Sequence, residues 1–439
     1  MASIDAVRPT PRHADPDLVR ERDRRHVWHT WTPVGADRSG TTFTHADGYR
    51  IFDLDGREYI EGSALNSTCG YAHPDVVRAV AEQAGRLHQV DVSMTSHDLL
   101  GALAERIASY LPAPLSRTLF VNSGSEGFDA ALIMAVGHAA HRGRPRSRVV
   151  AFARGYQGAT ILGRSLSALP RCRHPMTAPL PVTLVDLPLP PRELRRPEAL
   201  PVLLDAFERA VLADPDNPPA AVVVEPFLNV GGGVVLPPGF LAGLRALCDA
   251  TGALLVVDEV FTAYGRAGAM FCCARDGVAP DVLVSSKGLA GGYVPIAAVT
   301  AGEHVFEGFA ADPVIGGLRY GHTTSGHAVA CAAALATLDV LEKENLVERA
   351  ETLGARMSAR LAHLAGAGEV VDVRRLGLVV VLEMATEEAA LGVLDRARAG
   401  GLLLRRQGAA VMAVPPLVID DAGADLLVER LTAALPSAG

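Results

Sequence analysis

Two stretches decide the fold class: residues 253–260 read ALLVVDEV, and residues 281–299 read DVLVSSKGLAGGYVPIAAV. Each contains a short aliphatic run without the polar alternation of a half-exposed strand. Such runs are typical of strands buried on both faces, as in a parallel sheet covered by helices. Similar runs occur at 117–122, 148–153, 182–187 and 220–226. Helical stretches separate them, so the sequence predicts an α/β fold with a mostly parallel sheet.

The regions on either side of this sheet have different patterns. Residues 1–25 are polar and contain prolines, which is typical of a loose arm. Residues 26–72 contain Asp-Gly turns between short alternating runs, which predicts antiparallel hairpins. We therefore expect a small α+β domain built from both termini, 26–72 and 328–439, beside a large domain over 73–327.

Composition narrows the class of function. The 439 residues carry 41 Lys and Arg against 49 Asp and Glu, a formal net charge of −8. Because this charge offers no basic field to nucleic acid or an anionic membrane, we expect small-molecule substrates. Six scattered cysteines without a C-x-x-C motif favour a reducing compartment. With neither a signal-peptide pattern nor a long apolar span, the sequence predicts a cytoplasmic protein.

The two opening stretches place a lysine and a carboxylate after apolar runs. Lys287 is surrounded by small residues, and a desolvated lysine amine is a nucleophile for carbonyl groups. Asp258 ends its strand at the carboxyl edge, where open α/β sheets bind ligands. A buried acid there needs a cationic partner, and a pyridinium N–H is one. Taken alone, Lys287 also fits a surface loop, and Asp258 fits a helix cap or an ordinary salt bridge.

Two further segments suggest an anion site and an aromatic face. Ser123, Gly124 and Ser125 lie where a strand turns into a helix, and backbone N–H groups at a helix N-terminus bind anions. Tyr156 follows a short strand between glycines, where its ring could stack on a planar group. The serines also fit a helix cap, and Tyr156 also fits core packing. Together with the lysine and the carboxylate, these features match the needs of pyridoxal 5'-phosphate (PLP).

Five motifs then follow one another in the order and spacing of a known family. They are SGSE (123–126), EPF (225–227), VVDEV with YGR (256–266), SSKGLAGGY (285–293) and TTSGH (323–327). From about Trp28 to Leu417 the chain resembles the class III aminotransferases of PLP fold type I, which include the ω-amine:pyruvate aminotransferases. The resemblance implies a seven-stranded, mostly parallel sheet, PLP as cofactor and a homodimer.

The resemblance also implies a role for individual residues. Lys287 would form the Schiff base with the cofactor and act as general base and acid, and Asp258 would hold the pyridinium nitrogen. The other cofactor contacts would come from Ser123, Gly124 and Ser125 at the phosphate, Tyr156 above the ring, Val260 beneath it, Glu225 near the site, and Thr323 at the phosphate of the neighbouring subunit.

Substrate contacts follow from the same resemblance. Arg405 matches the mobile arginine that binds the acceptor carboxylate, a task suited to its bidentate fork, with Arg406 as the adjacent alternative. Trp31 and Leu65 would lie beside the substrate. We expect a small-molecule amino donor and a carbonyl acceptor, and we predict no metal site.

Five positions depart from the family pattern and indicate an altered pocket. Gln157 stands where many relatives have histidine, and Leu65 where they often have tryptophan. Val230 takes the place of the gating glutamate of ornithine-type and GABA-type relatives, which argues against that branch. Phe261 and Thr324 replace a glutamine and a tyrosine that are common in the family.

The sequence thus predicts an aminotransferase that moves an amino group from an amine or ω-amino donor to a keto acid or aldehyde. A glutamate-semialdehyde-type aminomutase, or a decarboxylating relative, would share Lys287 and Asp258 and differ in the fate of the adduct. A PLP-binding protein without catalysis is the third hypothesis, and the intact lysine and carboxylate argue against it.

Overall fold

Strands and helices alternate through most of the chain. The structure is a computed structural model that describes residues 15–36, 42–173, 176 and 180–436. The strands are β1 (Phe43–Asp47), β2 (Arg50–Asp53), β3 (Glu58–Glu61), β4 (Leu115–Val121), β5 (Val149–Phe152), β6 (Val182–Val185), β7 (Ala221–Val224), β8 (Phe227–Leu228), β9 (Val234–Val235), β10 (Leu254–Asp258), β11 (Val282–Ser285), β12 (Ala297–Gly302), β13 (Val370–Leu376), β14 (Val379–Met384), β15 (Leu402–Leu403), β16 (Arg405–Gln407) and β17 (Ala410–Ala413).

The helices cover both faces of the central strands. They are α1 (Pro16–His26), α2 (Pro74–Arg86), α3 (Asp98–Ser109), α4 (Gly124–His141), α5 (Ile161–Ser165), α6 (Pro191–Leu194), α7 (Leu200–Leu212), α8 (Phe240–Thr251), α9 (Cys272–Arg275), α10 (Glu303–Gly308), α11 (Ala328–Lys343), α12 (Leu346–Leu361), α13 (Glu387–Ala399) and α14 (Asp421–Ala434). Among the described residues, no helix is both long and apolar enough to cross a membrane.

Seven strands form the central sheet, in the order β4-β12-β11-β10-β7-β5-β6. The β10 strand pairs in parallel with β7 and β11, and β5 pairs in parallel with β6 and β7. Only β12 runs antiparallel to its two neighbours. The predicted seven-stranded, mostly parallel sheet is therefore confirmed.

Burial on both faces explains why the strands are continuous aliphatic runs. In β10, Leu255 and Val257 belong to one hydrophobic core, and Leu254 and Val256 belong to the core on the opposite face. Successive strand residues point to opposite faces, so both sets must be apolar. Asp258 is the last residue of this strand and the first position where a polar side chain reaches the sheet edge.

Two smaller sheets bring together distant parts of the chain. One has the order β1-β2-β3-β15, in which Leu402 of β15 pairs in parallel with Ile60 of β3. The other consists of C-terminal strands in the order β13-β14-β17-β16. Residues from both ends of the chain thus share a sheet, as a small domain from both termini requires. The domain boundaries proposed at 72 and 328 stay predictions.

Helix α1 corrects the expectation of a loose arm over 1–25. Its first turn contains a proline, and the side chain of the N-cap residue Asp15 accepts a hydrogen bond from a backbone N–H of that turn. Arg20 then pairs with Asp55 at 2.7 Å, which holds the helix against the hairpin strands. The rest of the predicted arm, 1–14, lies outside the described residues.

A buried arginine joins the C-terminal sheet to the segment between β8 and β9. Arg374 of β13 donates to the carbonyl oxygens of Gly233 (2.7 Å) and Gly232 (2.8 Å). Its guanidinium also pairs with Asp372 at 3.0 Å and Glu383 at 2.5 Å. Every part of this cation is therefore compensated, as a fully buried charge requires.

We expect Arg374→Met to lower the free energy of unfolding by about 3 kcal/mol, because it leaves the Glu383 carboxylate without its cation and two buried carbonyl oxygens without their donor. Asp372 keeps its pair with Arg195 at 2.5 Å. Arg375, the neighbour of Arg374, is the matched control, since it is half-buried and pairs with Glu351 alone in the described residues. Arg375→Met should cost about 0.5 kcal/mol. Chemical denaturation of both variants measures the difference, and equal losses would contradict the role of Arg374.

Candidate active site

A cavity of about 560 Å³ opens at the carboxyl ends of the central strands. Five strands of the sheet contribute residues at their carboxyl ends or within a few residues after them. These lining residues are Asn122 to Ser125 after β4, Tyr156 and Gln157 after β5, Glu225 after β7, Asp258 and Val260 at the end of β10, and Ser286 and Lys287 after β11. The predicted lysine, carboxylate, anion site and aromatic ring thus lie around one cavity.

Lys287 is held in this cavity by the loop that follows β11. The Ser286 hydroxyl donates to the Ile296 carbonyl at 2.9 Å, and the Thr68 hydroxyl donates to the Gly288 carbonyl at 3.0 Å, so the backbone is anchored on both sides of the lysine. Burial lowers the pKa of the Lys287 amine, although the nearby carboxyl groups oppose the shift. A lowered pKa increases the fraction of free amine near neutral pH, which is the nucleophilic form.

Asp258 is a buried carboxyl group that lines the cavity. It is 6% exposed, and its Oδ1 accepts a hydrogen bond from the Val260 N–H at 2.9 Å. Burial raises its pKa to about 7. A pyridinium N–H next to this carboxyl would return it to the ionised form, because an opposite charge favours the anion.

Glu225 is a second buried carboxyl, and it organises the loop after β5. Its Oε1 accepts hydrogen bonds from the Tyr156 N–H (2.7 Å) and the Gln157 side-chain amide (3.2 Å). Burial raises the pKa of Glu225 well above its usual value, and the negative charge of Asp258 raises it further. The two carboxyl groups therefore resist being ionised together, as close like charges do.

The N-terminus of α4 faces the same cavity. Ser123 caps the helix: its hydroxyl accepts from the Glu126 N–H at 3.3 Å, and the Glu126 carboxylate accepts from the Ser123 N–H at 3.1 Å. This capping box leaves the N–H groups of Gly124 and Ser125 without an acceptor among the described residues. Two free N–H groups at the positive end of an 18-residue helix form a site for a phosphate.

Close packing around this anion site requires glycine at two positions. A Cβ on Gly124 would lie 3.0 Å from a methyl group of Val260. Gly158 has a φ of +104°, and a Cβ there would lie 2.4 Å from the Ser125 hydroxyl. The Ser125 hydroxyl instead accepts from the Ala159 N–H at 3.0 Å, which holds the Tyr156 loop against the helix.

Aromatic and aliphatic side chains line the rest of the cavity. The rings of Trp31 and Tyr156 meet edge to face with centroids 6.3 Å apart. Besides Gln157, three departures from the family pattern line it, and all three are apolar: Leu65, Val230 and Phe261. An apolar wall at these positions cannot hydrogen-bond a polar substrate, so polar recognition must come from elsewhere in the cavity.

The structure separates Arg405 from Arg406. Arg405 lines the cavity, whereas the Arg406 guanidinium pairs with Glu387 at 3.0 Å and donates to the Gly408 carbonyl at 2.9 Å. Thr323 is not among the cavity residues: it is exposed, and its carbonyl accepts from the Gln89 amide at 2.7 Å.

Sequence reasoning missed several polar residues that line the cavity, among them Asn229, Gln407 and Arg171. Asn229 lies four residues after Glu225, and Gln407 two residues after Arg405, and this proximity to predicted residues is the signal that could have found them. Nothing comparable marks Arg171 in the sequence.

Unpartnered polar atoms test whether PLP fits the cavity. Gln157 Oε1, Asn229 Oδ1, Gln407 Oε1 and Arg405 Nε are buried and have no hydrogen-bond partner in the described part of the chain. Such atoms are costly unless a ligand or water bonds to them. Together with the carboxylate and the free helix N–H groups, they suit a polar planar ring that carries a phosphate. The residues present therefore fit PLP.

Comparison with known proteins agrees with this geometry. The family model described as aminotransferase class-III matches residues 32–435. The adenosylmethionine-8-amino-7-oxononanoate aminotransferase of Nitratidesulfovibrio vulgaris is 34% identical, over 95% of this chain and 81% of its own length. The omega-aminotransferase of Caulobacter vibrioides is 36% identical, over 82% of this chain and 85% of its own.

A solved structure shows the same similarity in three dimensions. The omega transaminase of Pseudomonas jessenii, determined in complex with PMP, superposes with a TM-score of 0.90 at 30% identity. The superposition covers 95% of this chain and 97% of that one. Since the family model and the solved structure both match nearly the whole chain, it belongs to the class III aminotransferases, which are PLP-dependent transaminases.

Proposed function

We propose that this enzyme transfers the amino group of an amine or ω-amino donor to a keto acid, with Lys287 and Asp258 as its catalytic residues. One observation carries the proposal: the amine and the carboxyl lie after adjacent parallel strands and line one cavity with a helix N-terminus. Bound PLP supplies an electron-withdrawing ring for the carbon that carries the amino group.

The residues around the cavity then have separate roles. The neutral amine of Lys287 acts as general base and takes the proton from the substrate carbon that carries the amino group. The resulting ammonium then acts as general acid and gives the proton up later in the transfer. Asp258, as a carboxylate, holds the proton on the ring nitrogen. The N–H groups of Gly124 and Ser125 bind the phosphate. Tyr156 and Val260 would lie on the two faces of the ring.

Arg405 is the proposed site for the acceptor carboxylate. Its guanidinium lines the cavity, and it forms no salt bridge within the described residues, so its fork is available to a ligand. Val230, which lines the same cavity, takes the place of the gating glutamate of ornithine-type relatives. An unpaired Arg405 supports direct binding of a keto acid.

A homodimer and a cytoplasmic location complete the proposal. Thr323 lies outside the cavity of its own chain, which supports a role at the neighbouring subunit's phosphate site. All six cysteines are buried free thiols, which is consistent with a reducing compartment. Both statements stay predictions.

Titration of the PLP-loaded protein with single donors, in the absence of keto acid, tests the function. We expect one class of amines to convert the absorption of the PLP form to that of the pyridoxamine form, and a keto acid to restore it. An aminomutase would return the product amine without any added acceptor, and a decarboxylase would release carbon dioxide. A spectrum that no amine changes would exclude catalysis by the folded protein.

The sequence contains only two lysines, Lys287 and Lys343, which makes the covalent attachment easy to assign. We expect Lys287→Ala to lose amino transfer by about a thousandfold or more. Borohydride reduction followed by mass spectrometry should find the cofactor on Lys287 in the unmodified enzyme and on no peptide of the variant. Lys343 is 74% exposed and is the matched control. Attachment at Lys343 would refute the assignment.

Replacing either of two adjacent arginines separates their roles. We expect Arg405→Gln to raise the KM for the keto acid about tenfold or more, because a charge-assisted contact is lost. Conversion of a donor that lacks a carboxylate should be unchanged. Arg406→Gln removes a surface pair with Glu387 and should leave the KM unaltered. Steady-state kinetics with varied acceptor would reject the proposal if both variants behaved alike.

A further inference from the structure

A second arginine lines the cavity, from a segment to which the proposed function gives no role. Arg171 lies in the short 3-10 turn Pro170–Cys172, and its exposed side chain borders the cavity that also contains Arg405 and Lys287. An exposed residue that lines a cavity lies at its mouth, where a substrate enters or extends outward.

The backbone of this turn is held in place independently of the Arg171 side chain. Arg164 of α5 donates to the Arg171 carbonyl (3.2 Å) and to the Cys172 carbonyl (3.2 Å). The same guanidinium lies 5.9 Å above the ring of Trp31, which lines the cavity as well. Cys172 is buried, so the turn is anchored on both sides. A substitution at position 171 therefore changes the side chain at the mouth and leaves the turn in place.

Neither cavity arginine has a carboxylate partner within the described residues. The negative charge of Glu61 raises the pKa of Arg405, but Glu61 forms no salt bridge with it among the described residues. The Glu61 oxygens instead accept hydrogen bonds from the Ser63 N–H at 2.6 Å and from the Tyr71 hydroxyl at 2.9 Å. Burial lowers the pKa of Arg405, and the positive charge of Arg171 adds to that lowering. Two cations that face one cavity without a paired carboxylate are stabilised by an anionic ligand.

The two carboxyl groups that line the cavity belong to the proposed cofactor site. Asp258 and Glu225 are buried and lie with Lys287 at the ends of the central strands. Of the charged residues around the cavity, the two arginines are thus the ones left for the substrate. The chain as a whole carries a net charge of −8, so these two cations are opposite in sign to its net charge.

We propose that Arg171 forms a second anion subsite and that the preferred keto acid is a dicarboxylate, with one carboxylate on Arg405 and the other on Arg171. This inference rests on the proposed function and adds the class of its acceptor. A keto acid with a single carboxylate leaves Arg171 unpaired, and a substrate with a cation at its far end is repelled by it. The planar fork of arginine suits a carboxylate.

Binding of two unreactive acids to the PLP-loaded enzyme tests the subsite. Glutarate has carboxylates at both ends, and pentanoate replaces one of them by a methyl group. Isothermal titration calorimetry should show glutarate bound about tenfold more tightly, the effect of one charge-assisted contact. Arg171→Gln should abolish this preference. The proposal is wrong if the preference survives in the variant, or if the unmodified enzyme shows none.

Arg173 provides the matched control. It is exposed, lies two residues further along, and is not among the cavity residues; its Nε donates to the Ala168 carbonyl at 3.3 Å. Arg173→Gln removes the same charge from the same segment and should retain the preference for glutarate. An equal loss in both variants would indicate a general field of the segment and would overturn the subsite.

The two acids carry neither an amino nor a carbonyl group, so their binding is independent of catalysis. If glutarate binding depends on Arg171 and no acceptor is ever aminated, the subsite stands and the proposed function fails. If pyruvate is aminated normally and Arg171→Gln lowers kcat/KM for oxaloacetate no more than for pyruvate, the proposed function stands and the subsite fails. The expected result is a loss of about tenfold for oxaloacetate alone.

Discussion

A partly buried lysine amine and a buried carboxyl impose the constraint on which the rest of the structure depends. Asp258 pairs in register with Val284 of the adjacent parallel strand, and Lys287 follows three residues later. Parallel pairing thus brings an amine and a carboxyl to the same sheet edge, inside an apolar environment. Charges are costly there unless they are partnered, so the surrounding chain must exclude water and still leave room for a cationic ring.

The neighbouring segments meet this constraint through close backbone approach. Glycine at positions 124 and 158 allows the N-terminus of α4 and the loop after β5 to come together, and the Glu225 carboxyl binds the backbone of that loop. The outcome is a cavity with fixed walls and several unpartnered polar atoms. Rigid placement of this kind is what a transferase needs, because a proton can be moved only between groups that are already in position.

Much of the site could be predicted because its residues stand directly after strands. Lys287, Asp258, Tyr156, Glu225 and the residues at the start of α4 all line the cavity. Their position in the fold follows from local pattern, since the carboxyl ends of parallel strands lie at one edge. The contact of α1 with the hairpin strands was not predicted, because the ion pair between Arg20 and Asp55 joins segments that no local pattern connects.

The sequence by itself determined the fold class, the family and the residues at the strand ends, because these depend on short-range hydrophobic pattern and on the spacing of motifs. Only the tertiary structure decided which arginines face the cavity. Arg405 and Arg406 are adjacent on a strand and therefore point to opposite faces, and only packing determines which face is inside. Arg171 lines the cavity because Arg164 holds its turn there, and such a long-range contact leaves no periodic signal in the sequence.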